Sequence, residues 1–100
     1  MFYDKSGKKI EDFIEIAMLS EDNDYRTIGY DLFPDGSYVS TIWLGIDQNV
    51  GRGKPLIFET MFFSSSDLET LKTETFGRWS TEEEAVAGHR KAVLKYSNRP

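Results

Sequence analysis

The sequence contains no cysteine, and this absence removes several classes of function at once. Disulfide frameworks, thiol nucleophiles and cysteine-ligated zinc all require the missing residue. Histidine is almost as scarce, since His89 stands alone, so a zinc site would depend on carboxylates for nearly all its ligands. We therefore predict no metal site and no cofactor. The lack of cysteine also suits a cytoplasmic location.

Long apolar runs and basic stripes are missing as well. No stretch approaches the roughly 20 apolar residues that cross a bilayer, and the first residues lack the basic-then-apolar plan of a signal peptide. The net charge is −5, and residues 1–35 hold nine acidic against four basic residues. An acidic chain without a basic patch is poorly suited to a phosphate backbone. Membrane and nucleic-acid partners are therefore disfavoured.

The residues that are present describe a folded protein of modest size. The chain has 100 residues, of which 39% are hydrophobic and 29% charged, and these fractions are ordinary for a globular domain. We predict one domain over residues 1–100. A core of this size is small, and stability in such chains often depends on oligomerisation.

Hydrophobic periodicity predicts the order of the elements. Residues 10–20 carry apolar side chains at helical spacing, namely Ile10, Phe13, Ile14, Ala17 and Met18. Strand-like stretches follow at 28–32, 38–46, 56–63 and 69–79, with a Pro-Asp-Gly-Ser turn at 34–37. Ser80, with Glu83 three residues later, matches a capping box that opens a second helix. The predicted fold is α+β, a four-stranded antiparallel meander with one helix before it and one after it.

The two central strands are apolar on both sides. The strand from Val39 would carry Val39, Thr41 and Trp43 on one side and Ile42, Leu44 and Ile46 on the other. The strand from Leu56 would carry Leu56, Phe58 and Phe62 on one side and Ile57, Met61 and Phe63 on the other. An antiparallel sheet with one wet face should instead alternate between apolar and polar residues. Two interpretations follow: a second chain or ligand covers one face, or the two helices flank opposite faces. The first predicts at least a dimer.

Two ionisable residues fall on apolar faces. His89 lies on the helical stripe of Val86, Val93 and Tyr96, where a packed, hydrogen-bonded histidine is commoner than a catalytic base. Glu59 shares a strand face with apolar residues, and a buried carboxylate needs a cation or hydrogen-bond donors. Arg78, Arg26 and His89 are the candidate partners for Glu59. Structural pairing and ligand binding are both open for it.

The loop 47–54 resembles two kinds of ligand site without completing either. Asp47, Asn49 and Gly51 have the spacing that starts a calcium loop, but no glutamate stands at the closing position. The glycines with Arg52 and Lys54 suit a phosphate, but no strand and helix flank them as in a P-loop. An ordinary exposed loop is the simpler interpretation. The candidate ligand-binding residues are Trp43, Asp47, Asn49, Arg52, Lys54, Glu59 and His89, and no residue is assigned a catalytic role.

Three segments together resemble a known protein family. They are residues 39–47 (VSTIWLGID), 55–63 (PLIFETMFF) and 78–89 (RWSTEEEAVAGH), and the similarity extends over about residues 38–93. In this respect the chain is similar to a family of small phage and prophage proteins. It departs from them at Gln48, where many relatives are expected to have histidine, and in the segment after Phe63. The resemblance brings no assigned activity, so no site residue is transferred.

The resemblance implies an accessory protein that works in the host cytoplasm. The leading hypothesis is a non-enzymatic viral protein that inhibits a host defence system by binding a host protein. A second is a homo-oligomeric sponge for a small nucleotide signal, with a pocket near Trp43, Glu59 and the 52–54 loop. A third is a small hydrolase that uses Glu59 and His89.

Overall fold

A computed structural model describes residues 1–49 and 53–98. The described elements are, in chain order, β1 (Phe2–Tyr3), β2 (Lys9–Ile10), α1 (Phe13–Glu21), α2 (Asn23–Arg26), β3 (Thr27–Leu32), β4 (Tyr38–Trp43), β5 (Phe58–Phe63), β6 (Thr73–Trp79) and α3 (Glu82–Ser97). Strands β3 to β6 form an antiparallel sheet in the order β3-β4-β5-β6. The predicted α+β meander between helices is confirmed. Residues 2–10, for which the sequence predicts a short strand or extended arm with a turn at residues 4–7, form the β1–β2 hairpin. The single turn of α2 was not predicted.

The β3–β4 hairpin forms where the sequence predicts it. The Phe33 N–H donates to the Ser37 carbonyl at 2.8 Å, and Gly36 between them has φ of 89°. Asp35 accepts the Ser37 N–H at 2.9 Å, which is the local side-chain bond typical of aspartate in turns. This turn fixes the register of β3 against β4.

All the described packing of α3 is on one face of the sheet. Its buried residues are Ala85, Gly88, His89, Ala92 and Tyr96. They lie against Val39, Thr41 and Trp43 of β4 and Phe58, Thr60 and Phe62 of β5, which are all buried. Tyr25 of α2 meets Trp43 edge-on, with ring centroids 5.0 Å apart, so α2 lies on this same side. We call it the helix-covered face.

Helix α1 contradicts the predicted apolar stripe. Ile10 is buried, but Phe13, Ile14 and Met18 are 84%, 72% and 67% exposed. Ile16 and Leu19 pack against the core instead. The helix is apolar nearly all round, so its periodicity did not determine which side would be buried.

Several boundaries also differ from the predictions. Strand β4 ends at Trp43, so Leu44 and Ile46 lie beyond it and not on its second side as predicted. The N-cap of α3 is Thr81 with Glu84, one residue later than the predicted Ser80 and Glu83. Strand β6 begins at Thr73 rather than Glu69, because 64–72 forms a loop tied by side-chain bonds such as the Lys72 N–H to the Ser64 hydroxyl. Ile57 is buried beside Phe58 in the core, not on the opposite face, because it precedes β5 and is outside the strand alternation.

Within the described residues, no helix has the length and hydrophobicity required to cross a membrane.

Candidate functional site

The sheet face opposite α3 has no helix on it in residues 1–49 and 53–98. We call it the open face, and the register assigns it these strand residues: Thr27, Tyr30, Leu32, Tyr38, Ser40, Ile42, Glu59, Met61, Phe63, Thr73, Thr75 and Arg78. Tyr30 and Leu32 are 55% and 60% exposed. The sequence left open whether the helices flank opposite faces of the sheet. In the described ranges they do not, because α2 and α3 lie on the same face.

An aromatic row crosses three strands of the open face. The Tyr38 ring stacks on Phe63 of β5 with centroids 4.5 Å apart, and it meets Tyr30 of β3 at 5.3 Å. Large flat rings of this kind offer much contact area at low cost in side-chain entropy. The row is therefore the most prominent feature available to a partner on this face.

Glu59 and Arg78 form an ion pair at one end of the open face. The Arg78 Nε–H donates to Glu59 Oε2 at 2.9 Å, and the side chains are 43% exposed for Arg78 and 12% exposed for Glu59. These are the only ionised groups among the strand residues of the open face, since the others are aliphatic, aromatic or hydroxyl side chains. The face therefore carries no net charge, although the chain carries −5.

A hydrogen-bonded chain of side chains lies under the helix-covered face. We call it the polar chain, and it takes one residue from each of the four strands and one from α3: Asp31, Thr41, Thr60, Trp79 and His89. His89 Nε2 lies 2.7 Å from Asp31 Oδ1, and His89 Nδ1 lies 2.7 Å from the Thr41 hydroxyl. The Thr41 and Thr60 hydroxyls are 2.6 Å apart, and the Trp79 indole N–H donates to Thr60 at 3.0 Å.

Every link of the polar chain can be satisfied. The indole N–H can only donate, so the Thr60 oxygen accepts it. Between the Thr41 and Thr60 hydroxyls, and between the Thr41 hydroxyl and His89 Nδ1, either atom can be the donor. Both nitrogens of His89 are occupied, and Thr41 is fully buried. This matches the predicted packed, hydrogen-bonded histidine.

The polar chain reaches the surface at a groove between β3 and α3. The groove has a volume of about 370 Å³ and is lined by Asp31, His89, Arg90, Val93 and Leu94. Leu94 is 64% exposed, and Arg90 makes no ion pair with any residue of the described ranges. An apolar wall beside a cation is thus open to solvent here.

Of the other residues predicted to bind ligand, Asp47, Asn49 and Lys54 share one loop, whereas Trp43 is in the core. Trp43 is buried, and its indole N–H donates to the Tyr3 carbonyl at 2.9 Å. Asp47 organises its loop by accepting the N–H groups of Asn49 at 2.7 Å and Leu56 at 2.9 Å. The Asn49 amide donates to the Lys54 carbonyl at 3.3 Å, and the Lys54 side chain is exposed. Arg52 lies outside the described residues.

The pairings behind two of the functional hypotheses do not form. Glu59 is on the open face, while Trp43 and His89 are on the helix-covered face, because adjacent strand residues point to opposite sides. Glu59 therefore neither shares a pocket with Trp43 nor acts together with His89. Neither the nucleotide pocket nor the hydrolase gains support from the geometry.

The sequence contains a signal for the polar chain, although no catalytic or ligand-binding motif marks it. Thr41 stands between Val39 and Trp43, and Thr60 between Phe58 and Phe62, at core-facing positions of two neighbouring strands. Buried hydroxyls need hydrogen-bond partners, so two threonines at such positions indicate a buried polar network. Their connection to Asp31 depended on strand register, which the sequence did not reveal.

Among the described residues, Tyr25, Glu74 and Asp4 have shifted pKa values. Burial raises the pKa of the Tyr25 phenol, which also accepts the Lys5 N–H at 2.8 Å. The Tyr96 hydroxyl, 2.7 Å from Glu74 Oε1, lowers the pKa of that exposed carboxyl. The pKa of Asp4 is lowered because hydrogen bonds from Ser6 and Lys8 outweigh its slight burial. These groups stabilise the β1–β2 turn and the end of α3.

The chain matches no family model, no curated protein and no solved structure at a significant level.

Proposed function

We propose that the protein is a non-enzymatic binding protein that works as a homodimer, with the open faces of two copies stacked on each other. In this proposal it serves as a phage accessory protein that inhibits a host defence protein in the host cytoplasm. The observation that carries the proposal is the open face itself, an apolar and aromatic surface without a covering element in the described residues. Surfaces of this kind are typical of protein–protein contacts.

Charge favours a second copy as the occupant of the open face. A face with no net charge gains little electrostatic binding energy from a basic partner. Two such faces also do not repel each other when they stack. Aromatic rows also stack on nucleobases, but Arg78 is already paired with Glu59, so the face offers no free cation for phosphates. Stacking two twisted sheets face to face is a common packing arrangement.

Light scattering on a sizing column tests the dimer. Met61→Lys puts a charge in the middle of the open face, where a half-buried side chain can still extend to solvent. Phe13→Lys is the matched control, because it makes the same change on the exposed side of α1. We expect a dimer for the wild type and for Phe13→Lys, and a monomer for Met61→Lys with an unchanged circular dichroism spectrum. A wild type that stays monomeric at about 100 µM would contradict the dimer.

The biological role has a separate test. The chain is expressed in bacterial strains that each carry one defence system, and plaque formation by a restricted phage is measured. Restored plaque formation in one strain, with direct binding of the purified defence protein, supports the role. Unchanged restriction in all strains counts against it.

A further inference from the structure

Strand β3 is an edge strand whose outer backbone groups have no partner in the described residues. The bond from the Phe33 N–H to the Ser37 carbonyl marks a hydrogen-bonded pair, and such pairs alternate along an antiparallel ladder. Asp31 opposite Val39 is therefore also hydrogen-bonded to β4, while Tyr30 and Leu32 direct their N–H and C=O groups away from the sheet. These groups form a free docking edge.

This edge has few of the features that usually protect an edge strand from added strands, apart from an irregularity in register between Thr27 and Gly29 and the inward Asp31. Such strands tend to be short, or to carry lysine, proline or an inward-pointing charge. Strand β3 has six residues, TIGYDL, with neither lysine nor proline. Its one inward charge, Asp31, is held by His89 at 2.7 Å. The apolar side chains of Tyr30 and Leu32 remain exposed.

The groove beside α3 lies where a strand added to β3 would place its side chains. A new strand would run about 4.8 Å from β3, with alternate side chains pointing to the helix-covered side. On that side they meet Arg90, Val93 and Leu94, which line the groove of about 370 Å³. This volume is within the range of small ligand pockets and suits apolar side chains.

Arg90 indicates the charge of the occupant. Its guanidinium is exposed at the groove and has no acidic partner in the described ranges, whereas the Asp31 carboxylate is already engaged. A carboxylate would pair with Arg90, and Val93 and Leu94 would contact an apolar side chain. The complementary ligand therefore combines both in one extended segment.

We propose that the β3 edge and this groove bind an extended peptide of a partner protein, which adds to the sheet as a fifth strand. Main-chain hydrogen bonds to Tyr30 and Leu32 provide affinity. An apolar side chain in the groove and an acidic group at Arg90 provide specificity. The proposal rests on the proposed function, since it gives the chemistry of the partner, but it uses the outward backbone groups of Tyr30 and Leu32 and a groove on the helix-covered side. The open face itself is not part of the peptide site.

Displayed random peptides of about eight residues, enough to span the six residues of β3, serve as the probe. Selected peptides are measured by fluorescence anisotropy against two matched variants. Leu32→Pro removes the outward N–H without breaking the hydrogen bonds to β4, because proline is tolerated in an edge strand where the nitrogen faces away from the sheet. Leu32→Thr keeps that N–H and loses the same leucine side chain. Any effect of the lost leucine on the dimer is thus common to both.

We expect Leu32→Pro to weaken peptide binding about tenfold relative to Leu32→Thr, as the loss of one main-chain hydrogen bond predicts. Arg90→Glu should weaken selected peptides that contain an acidic residue, and Leu94→Glu should weaken all of them. Hydrogen exchange should show the Leu32 amide protected only when peptide is bound. Thermal melts confirm that each variant is folded.

Three results would overturn the proposal. One is a selection that yields no peptide tighter than about 1 mM. Another is equal binding to Leu32→Pro and Leu32→Thr. The third is a Leu32 amide already protected in the free protein at high concentration, which would show a second copy on the edge. A monomeric wild type that still binds peptide would contradict the dimer and leave the edge site standing.

Discussion

Glu59 and Arg78 face each other across β5 and β6, and the geometry of the pair determines what its removal costs. Arg78 is 43% exposed, so the cation left behind by Glu59→Gln would remain partly hydrated. We expect a loss of up to about 1 kcal/mol in the free energy of unfolding, as for partly exposed ion pairs. Urea titration measures it, and Glu69→Gln on the exposed 64–72 loop is the control. A loss no larger than that of the control would show that the pair contributes nothing.

Gly29 and His89 are in such close contact that the imidazole ring leaves no room for a side chain at position 29. A Cβ on Gly29 would lie 2.8 Å from three atoms of the imidazole ring, so Gly29→Ala should cost about 1–3 kcal/mol by overpacking. In a His89→Ala background the ring is gone, and the same methyl should cost much less. The four free energies of unfolding form a double-mutant cycle, with an expected coupling of about 1 kcal/mol or more.

The single variant His89→Ala also separates a structural from a functional role. It removes the partner of the Thr41 hydroxyl and should lower stability. A fully stable His89→Ala protein that has lost peptide binding would instead make His89 a binding residue. Equal costs of Gly29→Ala in both backgrounds would mean that the ring can move aside.

At the level of elements, the start of α3 depends on one cap residue. The Thr81 hydroxyl accepts the Glu84 N–H at 3.1 Å, and the Glu84 carboxylate accepts the Thr81 N–H at 3.2 Å. Thr81→Ala should therefore lower the free energy of unfolding by about 1 kcal/mol. Ser80→Ala, at the position that the sequence suggested, should change it by less than about 0.5 kcal/mol. Thermal melts of the two variants compare them, and the reverse order would place the cap at Ser80.

The sequence predicted elements better than it predicted their packing. The strands around Val39 and Phe58 were found because β-branched and aromatic residues accumulate there between turn residues. The prediction of which side of α1 is buried was wrong. Phe13 and Ile14, which are exposed, differ little in hydrophobicity from Ile16 and Leu19, which pack against the core. Periodicity identifies a helix when its two sides differ, and here they do not.

For the candidate sites too, the sequence predicted features that depend on a residue's own strand but not those that depend on how distant elements pack. The pairing of Glu59 with Arg78 was among the predicted alternatives, because a carboxylate on an apolar face requires a cation. The groove at the β3 edge was not foreseen. It depends on how α3 crosses the sheet, which places Arg90 and Leu94 beside Asp31 although they are about 60 residues apart in the chain. Only the fold brings such residues together.

For the whole molecule, a dimer through the open face links stability to concentration. Because unfolding would also separate the copies, the wild-type melting temperature should rise with protein concentration. The monomeric Met61→Lys variant should melt at one temperature at all concentrations. Scanning fluorimetry over a hundredfold range of concentration compares the two, with Phe13→Lys as the control. A wild-type melting temperature independent of concentration would mean that no dimer stabilises the fold.

The polar chain has a consequence for how the fold is selected among its rivals. It closes only when Asp31, Thr41, Thr60, Trp79 and His89 arrive together from five different elements. A strand that slips by one residue turns its threonine to the wrong side and leaves the remaining hydroxyl in the core without a partner, at about 1–3 kcal/mol. The network thus favours the native strand register over shifted registers. It contributes less to the stability of the native state than to the free-energy difference between that state and sheets with a shifted register.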